Sequence, residues 1–157
     1  MIIELANIND YIHSAIPLTQ ALGVSVVEYD GQHVILSAPL SPNLNHRETA
    51  FGGSLSAVAI LAGWSLLFIK MRELNQSARL VIQHSEFDFL KPIDTDFRAH
   101  CRLPEQIKWQ RFLDTFQRKG KARIALETEI WFSGQQGGQA RGDYVAVRLE
   151  PEPGEAQ

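Results

Sequence analysis

Apolar and polar residues alternate along this chain with two periods, and each period predicts a kind of element. Helical spacing comes first: Ile8, Tyr11, Ile12, Ala15 and Leu18 or Leu22 follow the cap-forming run Asn7-Ile8-Asn9-Asp10 and stop at Gly23. Val24, Val26 and Val27 then predict a short strand. Its partner, Val34, Ile35, Leu36 and Ala38, lies beyond the turn signal Asp30-Gly31 and is closed by Pro39 and Pro42. A polar loop, Ser41–Ala50, leads into Ala50–Ile69, AFGGSLSAVAILAGWSLLFI, which carries no charge and predicts a long helix ending near Asn75. Period-two segments follow at Arg79–Leu90 and Thr95–Leu103, the latter alternating Phe97, Ala99, Cys101 and Leu103 with charged or polar neighbours. After Pro104, Trp109, Phe112, Leu113 and Phe116 stand on one helical face ahead of Gly120. Lys121–Phe132 alternates again, Ser133–Gly138 reads as a turn, Tyr144–Leu149 as a last strand, and residues 151–157 as a frayed tail.

The uncharged run is long enough to span a bilayer. Gly52, Gly53, Ser54, Ser56, Gly63 and Ser65 dilute it, however, and Trp64 sits in its middle rather than at an interface. No other segment offers a second span, so the reading is a helix enclosed by the protein's own sheet and no membrane contact. Hairpin-linked strands with one long helix predict an α+β domain over residues 1–150: a six-stranded antiparallel sheet wrapped around that helix, the hotdog architecture. Such a sheet leaves open edges, and side-by-side pairing into at least a homodimer is the expected remedy.

Composition narrows the class. Of 157 residues, 45% are hydrophobic and 21% charged, which is ordinary for one globular domain. A net charge of −3 gives no basic face for nucleic acid. The lone Cys101 and an N-terminus that makes a poor signal peptide point to the cytoplasm. His13, His33, His46, His84 and His100 show no metal-ligand spacing, and neither metal nor cofactor is expected. His84 reads as structural, and Cys101 as core.

Chemistry concentrates where the long helix begins. Gly52 and Gly53 would present backbone amides at its positive end, a place for developing negative charge. Asn45-His46-Arg47-Glu48-Thr49-Ala50-Phe51-Gly52-Gly53-Ser54-Leu55, followed by Leu61-Ala62-Gly63-Trp64, resembles the YiiD C-terminal type of hotdog proteins. That group is labelled thioesterase, and some of its members resemble or are malonyl-acyl carrier protein decarboxylases of the MadB type. Hotdog thioesterases of the phenylacetate-pathway type carry an Asn, six residues later His-Gly-Gly, and an acid about two helical turns further on. Here Asn45 matches the Asn and Gly52-Gly53 the glycines, but Phe51 replaces the His and the acid's place falls near Ile60. No Asp or Glu occurs between Glu48 and Glu73.

Hydrolysis needs a nucleophile or a base that activates water. A site with donors alone suits decarboxylation of a malonyl thioester, in which Asn45 and the amide of Gly52 or Gly53 would hold the enolate oxygen. The resemblance thus implies a substrate carried on the phosphopantetheine of acyl carrier protein or on CoA, and an acetyl product for fatty-acid initiation. His46, Thr49, Phe51 and Ser54 flank this place as candidate substrate contacts. Lys91 and the cluster Arg118, Lys119, Lys121 and Arg123 could take a phosphate or a carrier's acidic face. Simpler readings stand beside these. Asn45 could brace its loop, the glycines could serve packing, Thr49 or Ser54 is read first as a helix cap, and Glu48 as an ion pair with Arg47. The basic cluster could be a solvated helix end. Two other functions remain open: a thioesterase using His46, Glu48 or a partner-subunit residue, and a non-catalytic acyl-thioester binding domain.

Overall fold

The structure, a computed structural model, describes residues 4–150. The tail expected to fray at 151–157 lies outside them. Elements follow in the order α1 (Leu5–Ala15), α2 (Leu18–Leu22), β1 (Ser25–Tyr29), β2 (His33–Ala38), α3 (Gly52–Glu73), β3 (Ala78–Phe89), β4 (Phe97–Arg102), α4 (Gln106–Lys119), β5 (Lys121–Phe132) and β6 (Gln135–Arg148). The strands form one antiparallel sheet in the order β1-β2-β4-β5-β6-β3, and α3 packs on its inner face, as expected for a hotdog fold.

Four expectations need correction. The first helix is two. Pro17 has no N–H and forces Ile16 out of the helical region, to φ −127° and ψ 84°, so α1 stops at Ala15. Asn9 is no cap either: its amide brackets Val26, accepting from its N–H at 2.7 Å and donating to its carbonyl at 2.9 Å, which docks α1 on β1. The turn read at Ser133–Gly138 is only Ser133-Gly134, both at positive φ, and β6 already begins at Gln135. The glycines that suggested a longer turn are inward strand positions where a Cβ would meet a neighbour, Gly137 against Ile93 and Gly138 against the Phe87 ring.

α3 meets the length and apolarity of a membrane span, but most of that window is buried against the sheet. Leu55, Leu61, Leu66, Leu67 and Ile69 all lie in the core. Each such side chain contributes about 1.5–3 kcal/mol on burial. Gly63 is required by a ring: the buried Tyr144 of β6 reaches over it to donate its hydroxyl to the Ile60 carbonyl at 2.8 Å. The enclosure is incomplete, which corrects the expectation. Ser56, Ala57, Ile60, Trp64 and Phe68 form a half-buried stripe, with Trp64 stacked on Phe68 and Phe68 on Tyr11, each at 4.8 Å. Cys101 is fully buried, and desolvation pushes its thiol up to about 12.

On the outer face His33 and His100 come together across β2 and β4, with ring centroids 5.4 Å apart. Burial holds both below the ordinary 6.5, and each is further lowered by a neighbour, Arg102 for His33 and His33 for His100. A histidine depressed in the folded state favours folding above its unfolded value and withdraws that contribution as pH falls through its folded one. The urea midpoint should therefore fall between pH 7 and pH 5 more steeply in the wild type than in a His33→Gln/His100→Gln variant; parallel slopes would refute this. Gly63→Ala should cost about 1–3 kcal/mol in urea unfolding, because neither the helix nor the Tyr144 ring can move aside.

Candidate acyl-thioester site

The loop before α3 is built to deliver an uncapped helix start. Asn43 is buried and donates to the carbonyls of Leu22, at 2.9 Å, and Pro39, at 2.7 Å. Its own carbonyl accepts the Phe51 N–H, and Ile93 accepts that of Ala50, both at 2.7 Å. Leu44 and Ala50 pair as a bridge, so the residues between them close on themselves as a tight turn. Asn45 fills that turn. Its Oδ1 accepts the N–H of Arg47 at 2.8 Å and of Thr49 at 3.1 Å, and its Nδ2 donates to the Thr49 hydroxyl at 2.8 Å. Asn45 is thus a brace, with one amide hydrogen still unspent. Thr49 is its partner and caps no helix.

The N-cap position of α3 is Phe51, which supplies no side-chain cap. The amides of Gly52, Gly53 and Ser54 are therefore left at the positive end of a 22-residue helix without an intrahelical acceptor. Ser54 is buried in the first turn and does not act as the cap. Both glycines have a steric cause. A Cβ on Gly52 would stand 3.1 Å from the Phe89 ring, and one on Gly53 would collide with the Phe51 ring. Two phenyl rings consequently flank the amides, and both are largely solvent-exposed, Phe51 by 56% and Phe89 by 59%. Leu44 and Leu90 extend the patch and are also exposed. Exposed apolar surface of this kind, around polar donors, marks a place that something else covers.

The remaining candidates divide by position. His46 is exposed at the tip of the turn. Glu48 is exposed too, at φ 61°, and among the described residues it makes no ion pair with Arg47. Its role is to hold the left-handed corner of the turn. Lys91 lies just past Phe89 and donates to Gln135 at 3.0 Å, close to the helix start. Arg118 and Lys119 end α4, and Lys121 opens β5. Lys121 sits at the opposite end of the sheet from Gln135, about 35 Å along the strand at ~3.3 Å per residue. In one copy the basic cluster and the helix start are not neighbours.

Sequence reasoning missed Asn43, Phe89 and Asp94. The polar segment Ser41–Ala50 concealed a buried anchor, and Phe89 read only as a strand residue. Asp94 lines an open depression of about 580 Å³ that it shares with Leu44, Leu40 and Asp96. Asp96 is occupied there, accepting the Leu40 N–H at 2.8 Å. A larger groove, about 730 Å³, lies on the outer face between α4 and the sheet and includes Arg102, Lys108, Arg111, Arg123 and Arg141. The sheet separates it from the helix start.

The family profile described as "Putative thioesterase (yiiD_Cterm)" matches residues 5–148. The chain belongs to this family. It is a family of acyl-thioester enzymes, and solved structures agree on the fold. A protein from Chlorobaculum tepidum TLS is 31% identical, covers 92% of this chain and 94% of its own, and superposes with a TM-score of 0.88. A Shewanella oneidensis protein described as "the putative thioesterase" is 27% identical, with 91% and 96% covered and a TM-score of 0.83. A Pseudomonas aeruginosa protein, 20% identical over 95% and 99% of the two chains, reaches 0.81 and supports the fold.

Because the Phe51 ring fills the place of a Cβ on Gly53, Gly53→Ala should drive the ring off the helix start. The expected result is a loss of turnover on acyl thioesters of at least 10-fold with a urea midpoint close to wild type. Unchanged turnover would mean the ring has no part in the site.

Proposed function

We propose that this member of the family decarboxylates a malonyl thioester, carried on acyl carrier protein or CoA, to the acetyl thioester. The supporting observation is an uncapped helix start with amide donors between two exposed phenyl rings. His or carboxylate is absent from that flanking set among the described residues. The bond between the carboxylate carbon and the α-carbon breaks, carbon dioxide leaves, and its electron pair becomes the enolate of the thioester. Protonation of the α-carbon from water completes the acetyl group. The Asn45 hydrogen left free by Thr49, and the amides of Gly52 and Gly53, are the donors for the enolate oxygen. One such donor is worth about 3–4 kcal/mol in the transition state. Phe51 and Phe89 offer the departing carboxylate poor solvation.

Hydrolysis is the second reading. The family description and Asp94, which shares a depression with Leu44, favour it. Water activated by Asp94 would release the free thiol, and Asp94→Asn would then abolish turnover.

Mass spectrometry of malonyl-carrier protein after incubation separates the readings: acetyl-carrier is expected, and free carrier would establish hydrolysis instead. Asn45→Asp tests the donor. An aspartate keeps both bonds to the N–H groups of Arg47 and Thr49 but has no N–H to give. Decarboxylation should fall about 10²–10³-fold while the loop and the melting temperature persist. Wild-type rates in this variant would remove Asn45 from the mechanism.

A further inference from the structure

The two edges of the sheet are finished differently. β3 forms one edge and β1 the other. An edge strand of an antiparallel sheet turns every second residue's N–H and C=O outward, and those groups recruit another strand unless something occupies them. Along the first part of β1 they are occupied from within the chain. Val26 meets the Asn9 carboxamide, whose Oδ1 accepts its N–H at 2.7 Å and whose Nδ2 donates to its carbonyl at 2.9 Å. Two residues earlier, the Val24 carbonyl accepts from His13 Nε2 at 2.8 Å, and the Val24 N–H donates to the Thr19 carbonyl at 3.3 Å.

A carboxamide carries the donor and acceptor of a peptide group, so Asn9 takes the place of one residue of a neighbouring strand. The spacing fits as well. Asn9 and His13 share a face of α1 and are separated by four helical residues, a rise of ~6 Å. Val26 and Val24 are two strand residues apart, ~6.6 Å. The helix therefore lies along the edge in register with it. Ile8 and Ile12 anchor it in the core, and Tyr11 stacks on Phe68 of α3 at 4.8 Å. Beyond Val26 the strand bulges at Val27, the register passing from Val26–Leu36 to Glu28–Ile35, and a bulge spoils an edge for pairing.

Stability alone does not account for this finish. Water would satisfy the same outward groups, and a hydrogen bond exchanged for one to water gains little. What water does not do is keep another strand away. A sheet open at both edges can add copies without closing, whereas one shut at an edge cannot propagate. We propose that α1 is a latch on the β1 edge: Asn9 and His13 stand in for a neighbouring strand and exclude an edge strand of a second copy of this chain. Neither residue belongs to the candidate acyl-thioester site, so the latch is independent of the reaction assigned to it.

Sedimentation velocity over a range of chain concentrations tests the latch. Asn9→Asp sets a carboxylate against the Val26 carbonyl, and their repulsion should lift α1 and speed amide exchange at Val26. The wild-type mass should level off as concentration rises. The Asn9→Asp mass should keep climbing and exceed wild type at least about twofold at the highest concentration. Adding Val27→Lys, a charge on the exposed bulge of the same edge, should return it to the wild-type mass. Asn9→Pro, which breaks α1 outright, replaces Asn9→Asp if the Val26 amide still exchanges as slowly as in wild type. An exposed Val26 amide with unchanged mass would overturn the proposal, because the open edge would then recruit nothing. Growth that Val27→Lys leaves untouched would overturn it too, assigning association to the apolar surface uncovered with Ile8 and Ile12. A wild-type mass that climbs without limit would show that the edge is not shut.

Discussion

Everything in this fold depends on how closely rings approach one helix. Tyr144 crosses over Gly63 to reach the Ile60 carbonyl, Phe89 packs on Gly52, and Phe51 folds back on Gly53. At these places a side chain on α3 would push the sheet away, and along the buried faces a charge would be stranded without water. From Gly52 to Ile69 the helix is therefore uncharged and interrupted by glycines for reasons of packing. The place where hotdog proteins of another type keep their acid falls near Ile60, on the half-buried stripe, where packing alone does not exclude a carboxylate.

Long periodic segments reveal themselves in the sequence, because burial on one face imposes the period directly. β4, α4 and β5 were legible in this way, and α3 by its uncharged length instead. The legible part of the site was Gly52-Gly53, since paired glycines at a helix start have few explanations. What could not be read follows from contacts between distant residues. Pro17 looked compatible with a continuous helix because apolar spacing persists through it. The glycines of β6 imitate a turn because their neighbours, Phe87 and Ile93, lie far away in sequence. Asn45 marked the right loop, yet its bonds to Thr49 and Arg47 show a brace first, a role that types and spacing alone do not separate from a donor.

The half-buried stripe of α3 and the free edge of β3 belong together. A sheet of six strands curls far enough to cover most of the helix and leaves the side beyond β3 open. The exposed rings at the helix start continue that open side, so the uncovered edge and the rim of the candidate site form one surface.

A positive helix end attracts any anion, and a malonyl group already carries one before reaction. If the amides held the carboxylate they would stabilise the ground state and slow its loss, since only interactions stronger in the transition state accelerate a step. The orientation that speeds decarboxylation sets the thioester oxygen on the amides and the carboxylate against the phenyl rings. Charge then moves from a poorly solvated position toward waiting donors. Phe51 in the place of a histidine fits this division, because an imidazole there would solvate the carboxylate or deliver water to the thioester. On the decarboxylation reading, the residue that stands in the place of a hydrolytic histidine is also the one that makes the geometry directional.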